Sequence, residues 1–181
     1  LYHDQALNQL PRAGIVHRLD KDTTGLLLIG KTLETYTALV RQMQARDIEK
    51  HYIALVQGHI VAGTTLTTGY DRHPRQRLKM TVRPHGQGKD AITTYTVKQH
   101  YPHAGATLLN INLITGRTHQ IRVHMDHINH PIIGDPLYGG RPRHPKQLDD
   151  EAKARFLGFK RQALHAEILS FEHPTQATRL M

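Results

Sequence analysis

Two short segments hold the residue types that covalent or acid–base catalysis needs. In Gly14 to Leu28, the run His17-Arg18-Leu19-Asp20 stands just before the most apolar stretch of the chain, Gly25 to Ile29. Polar residues that feed directly into a buried strand lie at a cleft edge, so Asp20 is expected to be partly desolvated and flanked by Arg18 and Lys21. A carboxylate so placed could act as nucleophile, general base or metal ligand; the plainer alternative is a structural salt bridge at a strand start. In Thr115 to Met125, Thr115-Gly116 turns the chain and the next residues open a helix. Ile121, Met125 and Ile128 are spaced i, i+4, i+7. Arg122 adjoins that buried stripe, and an arginine held there needs a carboxylate or phosphate partner, unless it only packs its stem on the core.

Other elements must position these segments. Gly25 to Ile29 reads as a buried strand. Leu33 to Ala45 has apolar residues at Leu33, Tyr36, Val40 and Met43, a helical spacing, with Thr32 as N-cap. Ile48 to Gly58 is rich in β-formers. Ala91 to Gln99 and Thr107 to Ile114 read as a strand pair turned by Pro102 and Gly105. Pro131 must end the helix that contains Ile121. Asp149 to Leu157 reads as a short helix and Leu164 to Phe171 as a further strand. Runs of strands with few helices, without strict βαβα alternation, predict an α+β fold with a mixed or antiparallel sheet.

The 181 residues include 24 Lys and Arg against 15 Asp and Glu, a net charge of +9 with the 15 histidines neutral. Such a surface attracts phosphate backbones. The charge is clustered. Asp71 to Asp90, read as a loop, holds Arg72, Arg75, Arg77, Lys79, Arg83 and Lys89 against two aspartates. Arg141, Arg143, His144 and Lys146 form a second patch, where Pro142 and Pro145 predict an extended, exposed loop. With seven Tyr, three Phe and no Trp, a stacking platform for several bases is not expected. The absence of cysteine excludes disulfides and thiolate metal sites, and no apolar run approaches the roughly 18–20 residues that cross a bilayer.

Together the segments closely resemble the RluA-type pseudouridine synthases, most of all the RluD-like branch that acts on large-subunit (23S) ribosomal RNA. The resemblance includes His17-Arg18-Leu19-Asp20 followed by Thr23-Thr24-Gly25-Leu26, Lys50-His51-Tyr52 with Ala54, Leu55 and Val56, and Gly116-Arg117-Thr118-His119-Gln120-Ile121-Arg122. It continues through His130-Pro131, Gly134-Asp135-Pro136-Leu137-Tyr138-Gly139-Gly140 and Arg161-Gln162-Ala163-Leu164-His165-Ala166. It implies the pseudouridine synthase fold, a largely antiparallel sheet with flanking helices and a central basic cleft. It implies one catalytic domain over residues 1–181, incomplete at both ends and without the small N-terminal RNA-binding domain of many relatives. It implies isomerisation of a uridine within RNA, with no cofactor or metal, by a cytoplasmic monomer.

By that resemblance Asp20 is the catalytic aspartate, attacking either the anomeric carbon or the base. Arg122 pairs with it and keeps it ionised. Tyr52 stacks on the uracil, and its hydroxyl is a candidate for removing the carbon-5 proton. Arg18 helps expel the target nucleotide and holds its phosphate or vacated space. Leu164 lines the uracil pocket. His17, His119 and His124 read as scaffold. The target must leave its stack, because the reacting atoms are buried in it. The RNA expected first is the helix 69 stem-loop, with other ribosomal or transfer RNA uridines as alternatives. Two rival readings differ in class. A metal-dependent nuclease or hydrolase would use His124, His127 and His130, and a non-catalytic RNA-binding module would use the basic 71–90 stretch.

Overall fold

The computed structural model describes residues 5–140, 148–176 and 178–181. After two short 3-10 turns its elements are β1 (Thr24–Gly25), α1 (Leu33–Ala45), β2 (Glu49–Gln57), β3 (Thr64–Arg72), β4 (Met80–Arg83), β5 (Lys89–Tyr101), β6 (Ala106–Leu113), α2 (Gln120–His127), α3 (Asp150–Gly158), β7 (Leu164–Glu172) and β8 (Arg179–Leu180). The strands form one sheet in the order β1-β7-β2-β6-β5-β3-β4, with β8 added on β7. β1 and β7 run parallel and the other named pairs antiparallel. This is the α+β arrangement expected.

Strand alternation decides which face of the sheet is dry. Lys50, Tyr52, Ala54 and Val56 are the buried set of β2, and Leu109, Ile111 and Leu113 that of β6. Helix α2 lays Ile121 and Met125 on the same core. Burying each such large side chain contributes about 1.5–3 kcal/mol. A smaller cluster of Tyr70, Ala91, Val123 and Tyr138 packs under β3 and β4. Helix α1 starts as expected, with Thr32 Oγ1 accepting from the Thr35 N–H at 3.2 Å. The Gln42 side chain ties it to Glu172 of β7 through two hydrogen bonds, of 2.9 and 3.1 Å.

Three expectations are corrected. Gly25 to Ile29 is not a buried strand: pairing stops after Gly25, and Leu26, Leu27 and Ile29 are 48, 41 and 42% exposed. Among the described residues β1 lies at the sheet edge with a neighbour on one side only, and apolar composition alone does not reveal that. The basic 71–90 stretch is not a loop but an antiparallel hairpin, because β4 pairs with β3 from Gly69 to Arg72 before β5 begins. The helix containing Ile121 stops at His127, so Ile128 is its C-cap and not part of it, and Asn129 at a left-handed φ of 62° turns the chain before Pro131 is reached. The predicted patch at Arg141, Arg143, His144 and Lys146 lies outside the described residues.

The three histidines of the metal reading are not brought together, and among the described residues no group of three potential ligands is placed to hold an ion. His124 is buried, with Nε2 3.0 Å from Thr68 Oγ1 and Nδ1 2.9 Å from Thr93 Oγ1. Burial, and then the neighbouring His127, push its pKa down to about 4. The folded value lies below the unfolded one near 6.5, so between these pH values the unfolded chain binds more protons. Stability is expected to be flat above pH 6.5 and to fall by up to about 3 kcal/mol as pH drops to 4. His17, shifted the same way by burial, adds to this. Melting temperatures from pH 7.5 to 4.5 check it, and His124→Gln should flatten the curve in part; an unchanged slope would remove His124 from the account.

Candidate active site

Asp20 lies in a loop closed at its neck. The Gly30 N–H donates to Gly14 O at 2.9 Å, the Val16 N–H to Leu28 O at 3.2 Å, and the Leu28 N–H to His17 Nε2 at 3.1 Å. The last bond requires a neutral imidazole, and burial holds the His17 pKa low. Gly14 has a φ of +76°, and a Cβ there would meet Gly30 O at 2.2 Å, so the neck admits glycine only. At the tip, the Thr23 N–H donates to Asp20 O at 3.0 Å. Gln162, 1% exposed, donates from Nε2 to Lys21 O at 2.6 Å and to Thr23 Oγ1 at 2.9 Å. Gln162 leads into β7, so the loop that carries Asp20 is fastened to the strand that carries Leu164.

Arg122 comes from the first turn of α2. Its guanidinium forks onto Asp135, Nε to Oδ2 at 2.7 Å and Nη2 to Oδ1 at 2.9 Å. Its remaining nitrogen, Nη1, is 3.6 Å from Asp20 Oδ2. The expected pairing with Asp20 is present, but the two-point partner is Asp135. The Asp135 side chain is fully buried and its Oδ1 also accepts the backbone N–H groups of Leu137 and Tyr138, at 2.8 and 2.9 Å. Burial alone would raise its pKa; the Arg122 hydrogen bonds and then those backbone donors outweigh it and hold the value below the usual carboxylate range. The Tyr138 ring lies 5.1 Å from the guanidinium. Its hydroxyl accepts from the Met80 N–H at 2.8 Å and is 3.0 Å from His119 Nδ1.

The loop before α2 is held by another buried amide. Gln120 Oε1 accepts from Thr115 Oγ1 at 2.8 Å and from the Arg117 N–H at 3.0 Å, while Nε2 donates to Ile92 O and Thr93 Oγ1 on β5. These elements enclose a cavity of about 210 Å³ lined by Arg18, Asp20, Lys50, Tyr52 and Leu164, with His17, Thr23, Gln120 and Ile121 among the rest of its wall. Four of the five predicted site residues therefore share one wall, and the fifth, Arg122, reaches Asp20 from behind it. Tyr52 is 7% exposed. Burial, and then the charge of Asp20, push its phenol up to about 12, so it is neutral at ordinary pH.

Sequence reasoning missed Asp135, Gln120 and Gln162 as site residues. Asp135 carried one local signal: an aspartate before Pro136 whose oxygen accepts N–H groups two and three residues on forms an Asx turn. Its partner 13 residues earlier was not readable from spacing. The two glutamines stood within family motifs but with no role assigned, since a buried amide looks like any polar residue until its partners are known.

Comparison with known proteins agrees with this geometry. The model of the RNA pseudouridylate synthase family matches residues 2–127. Among curated proteins, ribosomal large subunit pseudouridine synthase D of Xanthomonas campestris pv. campestris is 52% identical over 174 residues, 96% of this chain and 51% of the relative. The proteins of that name from Xylella fastidiosa and Escherichia coli K12 are 49 and 48% identical over 177 and 174 residues, 98 and 96% of this chain, each match covering 52% of the relative. The chain thus spans about half the length of these relatives. Among solved structures, human RNA pseudouridylate synthase domain containing 1 superposes with a TM-score of 0.74 at 26% identity, over 92% of this chain and 66% of the other. Human RNA pseudouridylate synthase domain containing 4 has the same fold, with a TM-score of 0.66 at 24% identity, over 87% of this chain and 66% of the other. The family match over most of the sequence and a fold shared along nearly all of it lead to one conclusion: the chain belongs to the RNA pseudouridylate synthase family.

Proposed function

We propose that the protein isomerises uridine to pseudouridine in large-subunit ribosomal RNA, with the helix 69 stem-loop as the first RNA to test, and that Asp20 is its nucleophile. The observation that carries this reading is an aspartate 17% exposed and 3.6 Å from a buried arginine, on the wall of a cavity also lined by Tyr52 and Leu164. The reaction detaches the base from ribose C1′ at N1, turns it and rejoins it at C5; the proton lost from C5 is balanced by one gained at N1. One carboxylate serves this chemistry, and the Arg122 guanidinium 3.6 Å from Asp20 Oδ2 orients it. Tyr52 supplies a ring for the uracil to stack on, Leu164 an apolar wall, and Arg18 at the exposed rim a cation for a phosphate. The net charge of +9 suits an RNA partner. The proposed substrate places the reaction in the cytoplasm, with the enzyme taken as a monomer; separately, among the described residues no helix is long and apolar enough to cross a membrane.

The test is product formation by the full-length protein on that stem-loop, read by base-specific chemical probing. Wild type is expected to convert one loop uridine. Failure there and on other ribosomal and transfer RNA targets, by a folded protein that still binds RNA, would favour the non-catalytic module. Tyr52→Phe keeps the stacking ring and removes the hydroxyl. It is expected to bind RNA within about threefold of wild type while product formation falls about 10²-fold, the ordinary size of a lost group that relays a proton, here a neutral hydroxyl that gives up its own proton as it takes one. Unchanged turnover would confine Tyr52 to stacking.

A further inference from the structure

Lys50 is a buried cation that the proposed chemistry does not use. It lies on β2 two residues before Tyr52, on the buried set of that strand, and is 7% exposed. The ammonium of such a lysine costs free energy unless a partner takes it up. Its hydrogen-bonding neighbour within the protein is the Met43 thioether, with Nζ to Sδ at 3.9 Å, a weak acceptor. Among the described residues no carboxylate forms an ion pair with it, and its electrostatic neighbour is another cation, Arg46. Burial and that charge together lower its pKa. The side chain nevertheless reaches the site: Lys50 lines the same cavity as Asp20 and Tyr52, with Nζ 3.9 Å from where a Cβ on Gly116 would lie.

The charges on that cavity wall do not balance. Arg18, Lys50 and Arg117 line it against one carboxylate, Asp20, and Asp20 already has Arg122 behind it. Uracil and ribose are neutral and explain none of the surplus. The anionic parts of a nucleotide within a strand are its phosphates. Arg18 is exposed at the rim, and Arg117 Nε is engaged with Asp90 O at 3.1 Å, which leaves Lys50 as the inner cation whose hydrogen-bond acceptor among the described residues is the weak Met43 thioether.

We propose that Lys50 is a substrate-binding residue, its ammonium meeting a backbone phosphate of the RNA strand where the target nucleotide enters the cavity. This rests on the reading of the cavity as a nucleotide site. Binding pairs the buried charge, and a desolvated ammonium–phosphate contact is strong because little water competes for it. The lysine therefore anchors the flipped nucleotide while taking no part in bond making.

The test compares the full-length wild-type protein with Lys50→Met, Lys50→Arg and Lys98→Met on the helix 69 stem-loop. Lys98 is a half-exposed lysine 3.6 Å from Glu167 and away from the cavity, so it controls for net charge. Equilibrium RNA binding is measured between 50 and 250 mM salt, with KM and kcat for product formation. Lys50→Met keeps the packing of the stem. It is expected to weaken binding and raise KM by roughly 10- to 100-fold, the size of a lost charge-assisted contact, and to flatten the log–log salt dependence by about one unit. The loss falls on KM rather than kcat, Lys50→Arg recovers most of it, and Lys98→Met shifts binding less than threefold. The melting temperature of Lys50→Met is equal to or above wild type, since a buried unpaired charge has been removed. Two results would overturn the proposal: unchanged affinity and salt slope in Lys50→Met, or a loss confined to kcat with the slope intact, which would put the ammonium on the uracil. A protein that makes no pseudouridine yet shows the Lys50-dependent slope would sink the reaction and keep the phosphate contact.

Discussion

Asp20→Ala is expected to lower pseudouridine formation by at least ~10³-fold while leaving the protein folded, and the second half of that statement follows from geometry. If Asp20 is the nucleophile proposed above, its removal abolishes a covalent step that no neighbour replaces. In many sites the same change would also strand the partner cation. Here Arg122 keeps its fork onto Asp135, at 2.7 and 2.9 Å, so the loss of a 3.6 Å contact to a carboxylate 17% exposed leaves no orphaned buried charge. The stability change should stay within about 1 kcal/mol. The loop itself is held by Gln162 and by the Gly14–Gly30 neck, not by the Asp20 side chain. Chemical probing of the RNA and calorimetry of the same preparation check both parts. Product at near wild-type rate would remove Asp20 from the mechanism, and a large drop in melting temperature would show that the Arg122 contact is structural after all.

Asp135→Ala is expected to differ in its effect on the fold, destabilising the protein strongly as well as silencing it. It leaves a guanidinium 6% exposed without its two-point partner and removes the acceptor for the Leu137 and Tyr138 N–H groups. Breaking one side of a buried pair costs about 3–5 kcal/mol, or a fall of very roughly 10 °C for a domain of this size. Whatever folded protein remains should be impaired, because the freed guanidinium turns to Asp20 and ties the carboxylate in a closer ion pair. A double change, Arg122→Met with Asp135→Leu, should recover much of the stability, since both buried charges go together, and none of the activity. A single variant with wild-type melting temperature would show that water or a nearby group replaces Asp135. Recovery of turnover in the double variant would mean that Asp20 needs no guanidinium.

Much of the scaffold follows from local pattern. The apolar spacing of α1 and its Thr32 cap, the alternation in β2 and β6, and the Asp149 cap before α3 are decided by residues within a few positions of each other. Elements that depend on a distant neighbour were not legible. β4 is a four-residue strand that exists because β3 offers it an edge. Leu26 and Leu27 form an apolar run that stays exposed because nothing among the described residues pairs beyond β1.

For the site the division has the same cause. The sequence by itself marked the groups proposed to carry chemistry: Asp20, Arg122 and Tyr52 stand in segments whose order and residue types are those of the family. Only the tertiary structure decided how each is held and with what charge. Arg122 takes its main partner from a turn 13 residues away, the Asp20 loop takes its clasp from Gln162, 141 positions beyond Lys21, and Lys50 is left buried without a counter-charge among the described residues. A residue's identity states which bonds it can make. Burial and the neighbours that folding brings within 3 Å decide which of them it does make, and electrostatic contributions depend on that surrounding more than on the residue itself.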